Sequence, residues 1–202
     1  MQKQGRAKFV LGITGNIACG KSTVSKMFKT RDSLLIDADV IARMFLAKNR
    51  RIYEKVKAAF GEGILKPDKR IDRKKLGRIV FADSSALNRL NKIIHPALIK
   101  EIKRLIKKSD KKIIVLDAAL IIEAGLRKIV DKLVVVTTQR QQQIQRLMQR
   151  GVFRKEDIVM RMKSQISQKE KLRFADFIID NSGQIRKTEK QVSEIRRKLW
   201  KS

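Results

Sequence analysis

Residues 15–22 read Gly15-Asn16-Ile17-Ala18-Cys19-Gly20-Lys21-Ser22, which fits the pattern G-x-x-x-x-G-K-[ST] at every fixed position. The apolar run Phe9–Thr14 directly precedes this stretch, and the segment Ser22–Thr30, with helical apolar spacing, follows it. Glycines let the backbone curl so that successive N–H groups point at phosphate oxygens, and the start of the helix adds partial positive charge. This strand–loop–helix context predicts a loop that binds the phosphates of a nucleoside triphosphate.

Two side chains of this loop have expected roles, and the role of a third is undecided between two alternatives. Lys21 is expected to reach the outer phosphates, and the hydroxyl of Ser22 is the predicted ligand of Mg²⁺. Cys19 is either a small residue tolerated in a tight turn or a reactive thiol. The second possibility arises because a nearby helix start and Lys21 could lower its pKa.

Short β-rich runs recur along the chain. They are Phe9–Thr14, Ser33–Ile36, Lys112–Leu116, Lys132–Thr137 and Phe177–Ile179. Several are apolar on both faces, which is typical of strands buried inside a parallel sheet. Because helical segments alternate with these runs, we predict an α/β fold of the P-loop NTPase type, with a parallel five-stranded sheet flanked by helices.

The chain is predicted to form one domain over residues 1–202, with three parts. They are a core (about 8–45, 110–138 and 174–202), a helical substrate-binding insertion (about 60–108) and a helical lid (about 139–172). The insertion carries an apolar stripe at helical spacing between Leu87 and Leu105. Proline lacks a backbone N–H and clashes with the preceding turn, so Pro96 is expected to divide this stripe into two consecutive helices.

Three acids follow predicted strands, at the edge where such sheets bind ligands. Asp37 and Asp39 are two residues apart, so extended backbone would point both carboxylates to the same side. They are expected to hold Mg²⁺ through water or to take a proton from an attacking hydroxyl, with capping of a helix near Val40 as the alternative. Asp117 ends the third run and either contributes to the magnesium site or serves the turn.

Basic residues follow the fourth run, namely Arg140, Arg146, Arg150 and Arg154. Arg146 and Arg150 are four residues apart and share a helix face. They could stabilise the negative charge of a transferred phosphoryl group or form a solvated basic face. His95 is the only histidine and precedes Pro96. The plain interpretation of His95 is a packed or capping residue.

Composition narrows the choice of partner and compartment. The chain has 49 Lys and Arg against 20 Asp and Glu, a net charge of +29, which favours anionic partners. One cysteine excludes an intramolecular disulfide, and no apolar run reaches the roughly 20 residues of a membrane span. The apolar run after the basic N-terminus is too short for a signal peptide. We expect a cytoplasmic monomer without a membrane partner.

Beyond the binding of a nucleoside triphosphate, the residues alone leave two functions open. One is a small-substrate kinase, such as a nucleotide kinase. The other is a basic nucleic-acid-binding protein, but only the charge supports it, since aromatic residues are 5% and no RNA- or DNA-binding motif is recognisable. We expect weak, salt-sensitive attraction of polyanions and no specific nucleic-acid partner.

The chain resembles the dephospho-CoA kinases from about Val10 to Val192. The resemblance rests on the phosphate loop, Ile36-Asp37-Ala38-Asp39 with Val40-Ile41-Ala42-Arg43, Ile71-Asp72-Arg73, His95-Pro96, Gln143 with Arg146 and Arg150, Gln165, Ala175-Asp176-Phe177 and Asn181. It implies a kinase that uses ATP with Mg²⁺ to phosphorylate the ribose 3′-hydroxyl of dephospho-CoA, giving coenzyme A.

The resemblance also assigns roles to residues. Asp39 would be the base toward the 3′-hydroxyl, Lys21 would neutralise the phosphates, and Arg146 would cover them from the lid. The implied ATP-binding residues are Gly15, Ala18, Cys19, Gly20, Lys21, Ser22 and Thr23; the implied substrate-binding residues are Asp37, Arg73 and His95. The sequence departs from the family at Ala119, where a proline is usual, and this leaves the geometry around Glu123 open.

Overall fold

The computed structural model describes residues 8–149, 151 and 155–200, and the sheet in this part of the chain is entirely parallel. Its strands are β1 (Phe9–Thr14), β2 (Ser33–Asp37), β3 (Ile113–Asp117), β4 (Lys132–Thr137) and β5 (Phe177–Asp180). They lie side by side in the order β2–β3–β1–β4–β5. The predicted parallel five-stranded sheet is confirmed, and every predicted run lies within one residue of an observed strand.

Helices connect the strands and cover the sheet. They are α1 (Lys21–Phe28), α2 (Ala38–Lys48), α3 (Arg50–Phe60), α4 (Arg73–Ala82), α5 (Ser84–Lys108), α6 (Arg140–Gln149), α7 (Lys155–Lys163), α8 (Gln168–Leu172) and α9 (Ile185–Leu199). Polar side chains cap several of their starts, because the first N–H groups of a helix have no partner within it. Asp72 and Asp83, for example, accept hydrogen bonds from the first turns of α4 and α5.

Alternate residues of the central strands face two separate apolar cores. On one side, Leu11 and Ile13 pack with α1 and α9. On the other side, Val10 and Leu133 pack in the core that includes α3, α4 and α5. This alternation follows from the two-residue period of a strand, and it explains why the central runs are apolar on both faces.

Pro96 does not divide the long helix, so the prediction of two consecutive helices was wrong. Helix α5 runs unbroken through Pro96 for 25 residues. A proline inside a helix costs about 3 kcal/mol. Each large apolar side chain that is buried stabilises the fold by about 1.5–3 kcal/mol, which offsets the destabilisation caused by the proline. The buried positions continue at four-residue spacing on both sides of Pro96: Ala86, Leu90, Ile94, Leu98 and Ile102.

The helical part of the chain begins earlier than the predicted insertion of residues 60–108, since α2 and α3 also pack against α5. The predicted lid, 139–172, contains α6, α7 and α8, whereas Arg150 and Arg154 lie outside the described residues. Within the described ranges, none of the helices combines the length and apolarity needed to cross a membrane. The division into core, insertion and lid stays a prediction, as does the monomeric state.

Candidate active site

The phosphate loop joins β1 to α1 at the carboxyl edge of the sheet. Gly20 has φ 90° and Ala18 has φ 60°, both in the left-handed region. A Cβ atom on Gly20 would collide with the side-chain amide of Asn181, and one on Gly15 would collide with the carbonyl oxygen of Val136. The two fixed glycines of the motif are therefore required by close packing, and Gly20 also by its backbone conformation.

Residues far along the chain hold this loop in place. The Asn181 side chain donates from Nδ2 to the carbonyl oxygen of Cys19 at 2.8 Å and accepts from Oγ1 of Thr188 at 2.9 Å. Arg146 donates to the carbonyl oxygens of Ala18, at 3.2 Å, and of Asn181, at 2.9 Å. The predicted lid arginine thus lies beside the phosphate loop, bound to its backbone.

A second set of contacts joins the loop to the base of the lid, which we define as residues 165–172. The backbone N–H of Ile17 donates to Oε1 of Gln165 at 2.9 Å. The side chain of Asn16 donates to the carbonyl oxygen of Ile166 at 3.0 Å. These bonds connect the phosphate loop directly to the segment that ends the predicted lid.

Lys21 lies between two carboxylates. Its Nζ atom is 3.2 Å from Oδ2 of Asp39 and donates a hydrogen bond to Oδ1 of Asp117. Burial by itself would lower the pKa of Lys21, but the charges of Asp39 and Asp117 outweigh burial and raise that pKa above its ordinary value. Burial raises the pKa of Asp117 against the opposing effect of Lys21. Lys21 therefore stays a cation at neutral pH.

The two acids after β2 have separate positions. Asp37 ends the strand and accepts a hydrogen bond from the N–H of Val40 at 2.8 Å, so it caps α2. Asp39 already belongs to the first turn of that helix and has a side chain 44% exposed. The expectation that both lie on extended backbone was wrong, because the cap starts the helix at Ala38. Asp37 matches the capping alternative, whereas Asp39 contacts Lys21.

Cys19 is not an activated thiol. Its side chain is buried, and burial raises the pKa of this thiol to about 11, although a backbone hydrogen bond and the charge of Lys21 act in the opposite direction. The alternative of a thiol with a lowered pKa was wrong, since the desolvation of a buried thiolate outweighs these two contributions. Cys19 is a small residue packed beneath the loop.

His95 lies near a buried ion pair at the base of the lid. Lys171 is fully buried, and its Nζ atom is 3.1 Å from Oε1 of Glu123 and 2.6 Å from the carbonyl oxygen of Ala119. The same carbonyl accepts a hydrogen bond from Oγ1 of Thr14 at 3.1 Å. Burial lowers the pKa of His95, and the charge of Glu123 opposes this shift. The loop without the usual proline is thus fastened by Lys171.

Other predicted site residues lie further out. Ser22 and Thr23 are exposed in the first turn of α1, beside Lys21. Arg73 begins α4 and lines a cavity of about 710 Å³ together with Leu46 and Ala47, at the end of α2. Among the hydrogen bonds and ion pairs of the described residues, none joins Arg73 or His95 to Lys21. The structure therefore brings together Lys21, Asp39 and Asp117, but not the two outer substrate-binding candidates.

Sequence reasoning assigned no role to three residues that shape the site: Asn181, Gln165 and Lys171. Asn181 belongs to the family resemblance, and its position directly after β5, at the same edge as the phosphate loop, could also have suggested a role. Lys171 carried no such signal, since it is one of 49 basic residues and only the folded chain shows that it is buried.

Comparisons with known proteins match this chain to dephospho-CoA kinases. The family model of dephospho-CoA kinase matches residues 9–187. A dephospho-CoA kinase of Aquifex aeolicus is 43% identical over 190 residues, which cover 94% of this chain and 96% of the relative. The solved structure of a dephospho-CoA kinase from Campylobacter jejuni has a TM-score of 0.65 at 32% identity, covering 95% of this chain and 97% of that one.

A shikimate kinase of Bacteroides thetaiotaomicron has a TM-score of 0.57 at 11% identity, covering 96% of this chain and 99% of that one. This likeness concerns the P-loop kinase fold alone. The family model, by contrast, covers nearly the whole chain, and the phosphate loop, its lysine and the acid after β2 stand together at one edge of the sheet. The chain belongs to the dephospho-CoA kinase family.

Proposed function

We propose that this chain transfers the γ-phosphoryl group of ATP to the ribose 3′-hydroxyl of dephospho-CoA, with Lys21, Asp39 and Arg146 as the principal catalytic side chains. Dephospho-CoA kinases catalyse the ATP-dependent phosphorylation of dephospho-CoA to coenzyme A, the last step of coenzyme A biosynthesis. The observation that carries the residue assignment is the 3.2 Å contact between Nζ of Lys21 and Oδ2 of Asp39. It joins the phosphate-binding side to the acceptor side of one site.

ATP binding would rearrange the ion pairs of Lys21. The N–H groups of the phosphate loop and the start of α1 attract the phosphates. The ammonium of Lys21 then exchanges a carboxylate for phosphate oxygens, an exchange that the exposure of Asp39 favours. A cation held at the β and γ phosphates stabilises the charge that develops during transfer.

Asp39 would act on the acceptor hydroxyl. Once Lys21 contacts phosphate, the carboxylate of Asp39 is free to orient the 3′-hydroxyl and to accept its proton. The hydroxyl oxygen attacks the γ-phosphorus in line, the bond to the β–γ bridging oxygen breaks, and ADP leaves. The phosphate ends on the ribose, the proton on Asp39, and no covalent enzyme intermediate forms.

Arg146 would supply charge from the lid. Its guanidinium group bonds two carbonyl oxygens at the phosphate loop, those of Ala18 and Asn181. A guanidinium group held beside the loop would bind the equatorial oxygens of the transferred group, where planar, bidentate donors are effective.

P-loop kinases that use ATP generally need a divalent metal ion, and the residues present suit Mg²⁺. In the described part of the chain, no cluster of three or more His, Cys, Asp and Glu side chains could hold a metal by itself. Mg²⁺ binds largely through substrate phosphates and water with one or two protein ligands, and the exposed hydroxyl of Ser22, beside Lys21 in the first turn of α1, offers one such oxygen. We assign Ser22 as the direct ligand and Asp117 as an acid near it. When bound, the ion would neutralise charge on the β and γ phosphates.

The remaining assignments follow the same scheme. Gly15, Ala18, Cys19, Gly20 and Thr23 would contribute backbone or polar contacts to ATP. Asp37, Arg73 and His95 would lie on the acceptor side, in or near the helical insertion, while residues 139–172 would close over the phosphates.

A coupled ADP-release assay tests the proposal. The purified chain is given ATP, Mg²⁺ and either dephospho-CoA or a panel of nucleotides as acceptor, and the new phosphate is located on the product by NMR. We expect turnover with dephospho-CoA and a phosphate on the ribose 3′-oxygen. Turnover with a nucleotide and none with dephospho-CoA would instead identify a nucleotide kinase.

A further inference from the structure

A cavity outside the phosphate site combines volume with a concentration of positive charge. It measures about 710 Å³ and lies between the end of α2, the turn at residues 66–72 and the start of α4. Its basic lining residues are Lys66, Lys69, Arg70, Arg73 and Lys74, against the acids Asp68 and Asp72. The balance of these side chains favours an anion.

The two acids of the cavity are already engaged. Asp68 accepts hydrogen bonds from the backbone and side chain of Arg70, at 3.1 and 2.7 Å. Asp72 accepts from the N–H groups of Lys74 and Lys75 and so caps α4. Within the described residues, no carboxylate forms an ion pair with the side chains of the other four cations, Lys66, Lys69, Arg73 and Lys74. Their charge is available to a ligand.

The turn that carries two of these cations is held firmly. The N–H of Lys66 donates to the carbonyl oxygen of Arg70. The hydroxyl of Tyr53 donates to the carbonyl oxygen of Lys69 at 2.7 Å. Lys69 itself has φ 61°, a left-handed conformation that a lysine rarely adopts. Strained backbone of this kind persists where surrounding contacts impose it, and it often marks a ligand site.

Helix α2 connects the cavity to the proposed base. Asp39 lies in its first turn and Ala47, which lines the cavity, in its last. Eight residues at the helical rise separate them by about 12 Å. Between them Val40 and Met44 are 37% and 49% exposed, one turn apart on one face, with Ala47 three residues further on. An exposed apolar strip therefore leads from the reacting end to the basic cavity.

We propose that this cavity binds the diphosphate of the acceptor through Lys66, Lys69, Arg73 and Lys74, and that Val40 and Met44 contact the nucleoside between the cavity and Asp39. The inference rests on the proposed function, because it takes dephospho-CoA as the acceptor. In that molecule the diphosphate follows the 5′ side of the ribose whose 3′-hydroxyl reacts. The 3′-oxygen and the diphosphate are separated only by part of the ribose and one methylene group, which is less than the roughly 12 Å along the helix. The long side chains of the lysines and of Arg73, which line the cavity, extend from the backbone and can cover the difference.

The decisive experiment measures dephospho-CoA binding to the full chain by calorimetry. The variant Lys66→Gln/Lys69→Asn removes two charges, and asparagine tolerates the left-handed backbone at position 69. We expect its affinity for dephospho-CoA to fall by at least about tenfold, as for lost charge-assisted hydrogen bonds. Arg73→Gln, at an exposed position outside the turn, should weaken binding in the same direction if the double variant fails to fold.

The matched control is Lys100→Gln/Lys103→Gln, which removes the same charge from exposed positions on α5. An equal loss of dephospho-CoA affinity in this control would overturn the proposal, because net charge alone would then explain the effect. Unchanged affinity in both cavity variants would overturn it as well.

Adenosine separates the diphosphate subsite from the rest of the acceptor site. It carries the 3′-hydroxyl but no diphosphate. The affinity of adenosine, measured by its competition with dephospho-CoA, should therefore be the same in the cavity variants as in the wild type. An equal loss for both ligands would contradict the proposal.

Failure of the proposed function can be distinguished from failure of the proposed diphosphate subsite. A chain that binds dephospho-CoA through the cavity without phosphorylating it would overturn the function and support the subsite. Phosphorylation of dephospho-CoA that is unchanged in the cavity variants would support the function and overturn the subsite. A wild-type chain that does not bind dephospho-CoA would overturn both.

Discussion

The phosphate loop and the base of the lid each bury a lysine, but in surroundings of different kinds. Lys21 is 9% exposed, and one of its two carboxylate partners, Asp39, has a side chain 44% exposed. Lys171 is fully buried, and its partners are a backbone carbonyl and Glu123, whose side chain is 16% exposed. The two lysines share burial and an acidic partner, and they differ in whether a ligand can approach that partner.

This difference separates a chemical role from a structural one. A phosphate can take the place of Asp39 at Lys21 without unpacking the core, whereas no ligand can reach Lys171 in the same way. Substitutions at the phosphate loop should therefore change turnover, and substitutions at the base of the lid should mainly change stability. Four experiments test this contrast, from the largest expected effect to the smallest.

Conversion of Asp39 to Asn should have the largest effect. The amide cannot accept the hydroxyl proton, so we expect kcat to fall by about 10²–10⁴-fold while ATP affinity changes little. Single-turnover kinetics and an ATP titration measure the two quantities. Asp32→Asn, at an exposed position before β2, is the control. Intact single-turnover chemistry with a collapsed ATP affinity would make Asp39 a nucleotide or metal ligand instead.

Lys21→Ala should lower kcat by at least about 10²-fold, on the order of 3 kcal/mol, because it removes positive charge where the transition state is most negative. The control is Lys26→Ala on the exposed side of the same helix. Far-ultraviolet circular dichroism verifies that the variant is folded. Near-wild-type turnover in a folded Lys21→Ala protein would exclude this lysine from the chemistry.

Lys171→Met should lower the free energy of unfolding by about 2–3 kcal/mol, because it leaves Glu123 buried without its cation. Lys169→Met, at an exposed position of the same short helix, should have little effect. The double variant Lys171→Met/Glu123→Leu should recover part of the lost unfolding free energy, because it contains no unpaired buried charge at this position. Urea unfolding measures all three variants. Equal stability of Lys171→Met and wild type would contradict a structural role for this ion pair.

The smallest effect concerns His95, beside the partner of Lys171. Burial holds the pKa of His95 below its ordinary value of 6.5, with Glu123 opposing the shift. The unfolded chain therefore takes up a proton at higher pH than the folded one. This contribution to stability is fully present above pH 6.5 and is lost as pH falls through the lower pKa of the folded state.

The pH dependence can be isolated because His95 is the only histidine. Wild type should lose more unfolding free energy between pH 7.5 and 5 than His95→Gln does, as measured by urea unfolding at both values. The same loss in the two proteins would show that His95 does not titrate differently on folding.

Local patterns in the sequence were enough for the framework of the molecule. The strands were recognisable because a central parallel strand must be apolar on both faces, and the phosphate loop because its glycines, lysine and hydroxyl have fixed spacing. The placement of Asp39 near the loop was also predictable, since carboxyl ends of parallel strands meet at one edge. The resemblance to dephospho-CoA kinases added the acceptor.

Burial and long-range pairing were decided only by the tertiary structure. Pro96 continues a helix because residues on both its sides pack on the same core, and the pKa of the Cys19 thiol is raised because neighbours from other elements desolvate it. Lys171 pairs with Glu123 across 48 positions of the chain, a contact to which no local pattern points. The sequence by itself determined which residues could bind phosphate, because that depends on neighbours within a few positions. Which lysines are buried, and which of them a ligand can reach, depends on parts of the chain that meet only after folding.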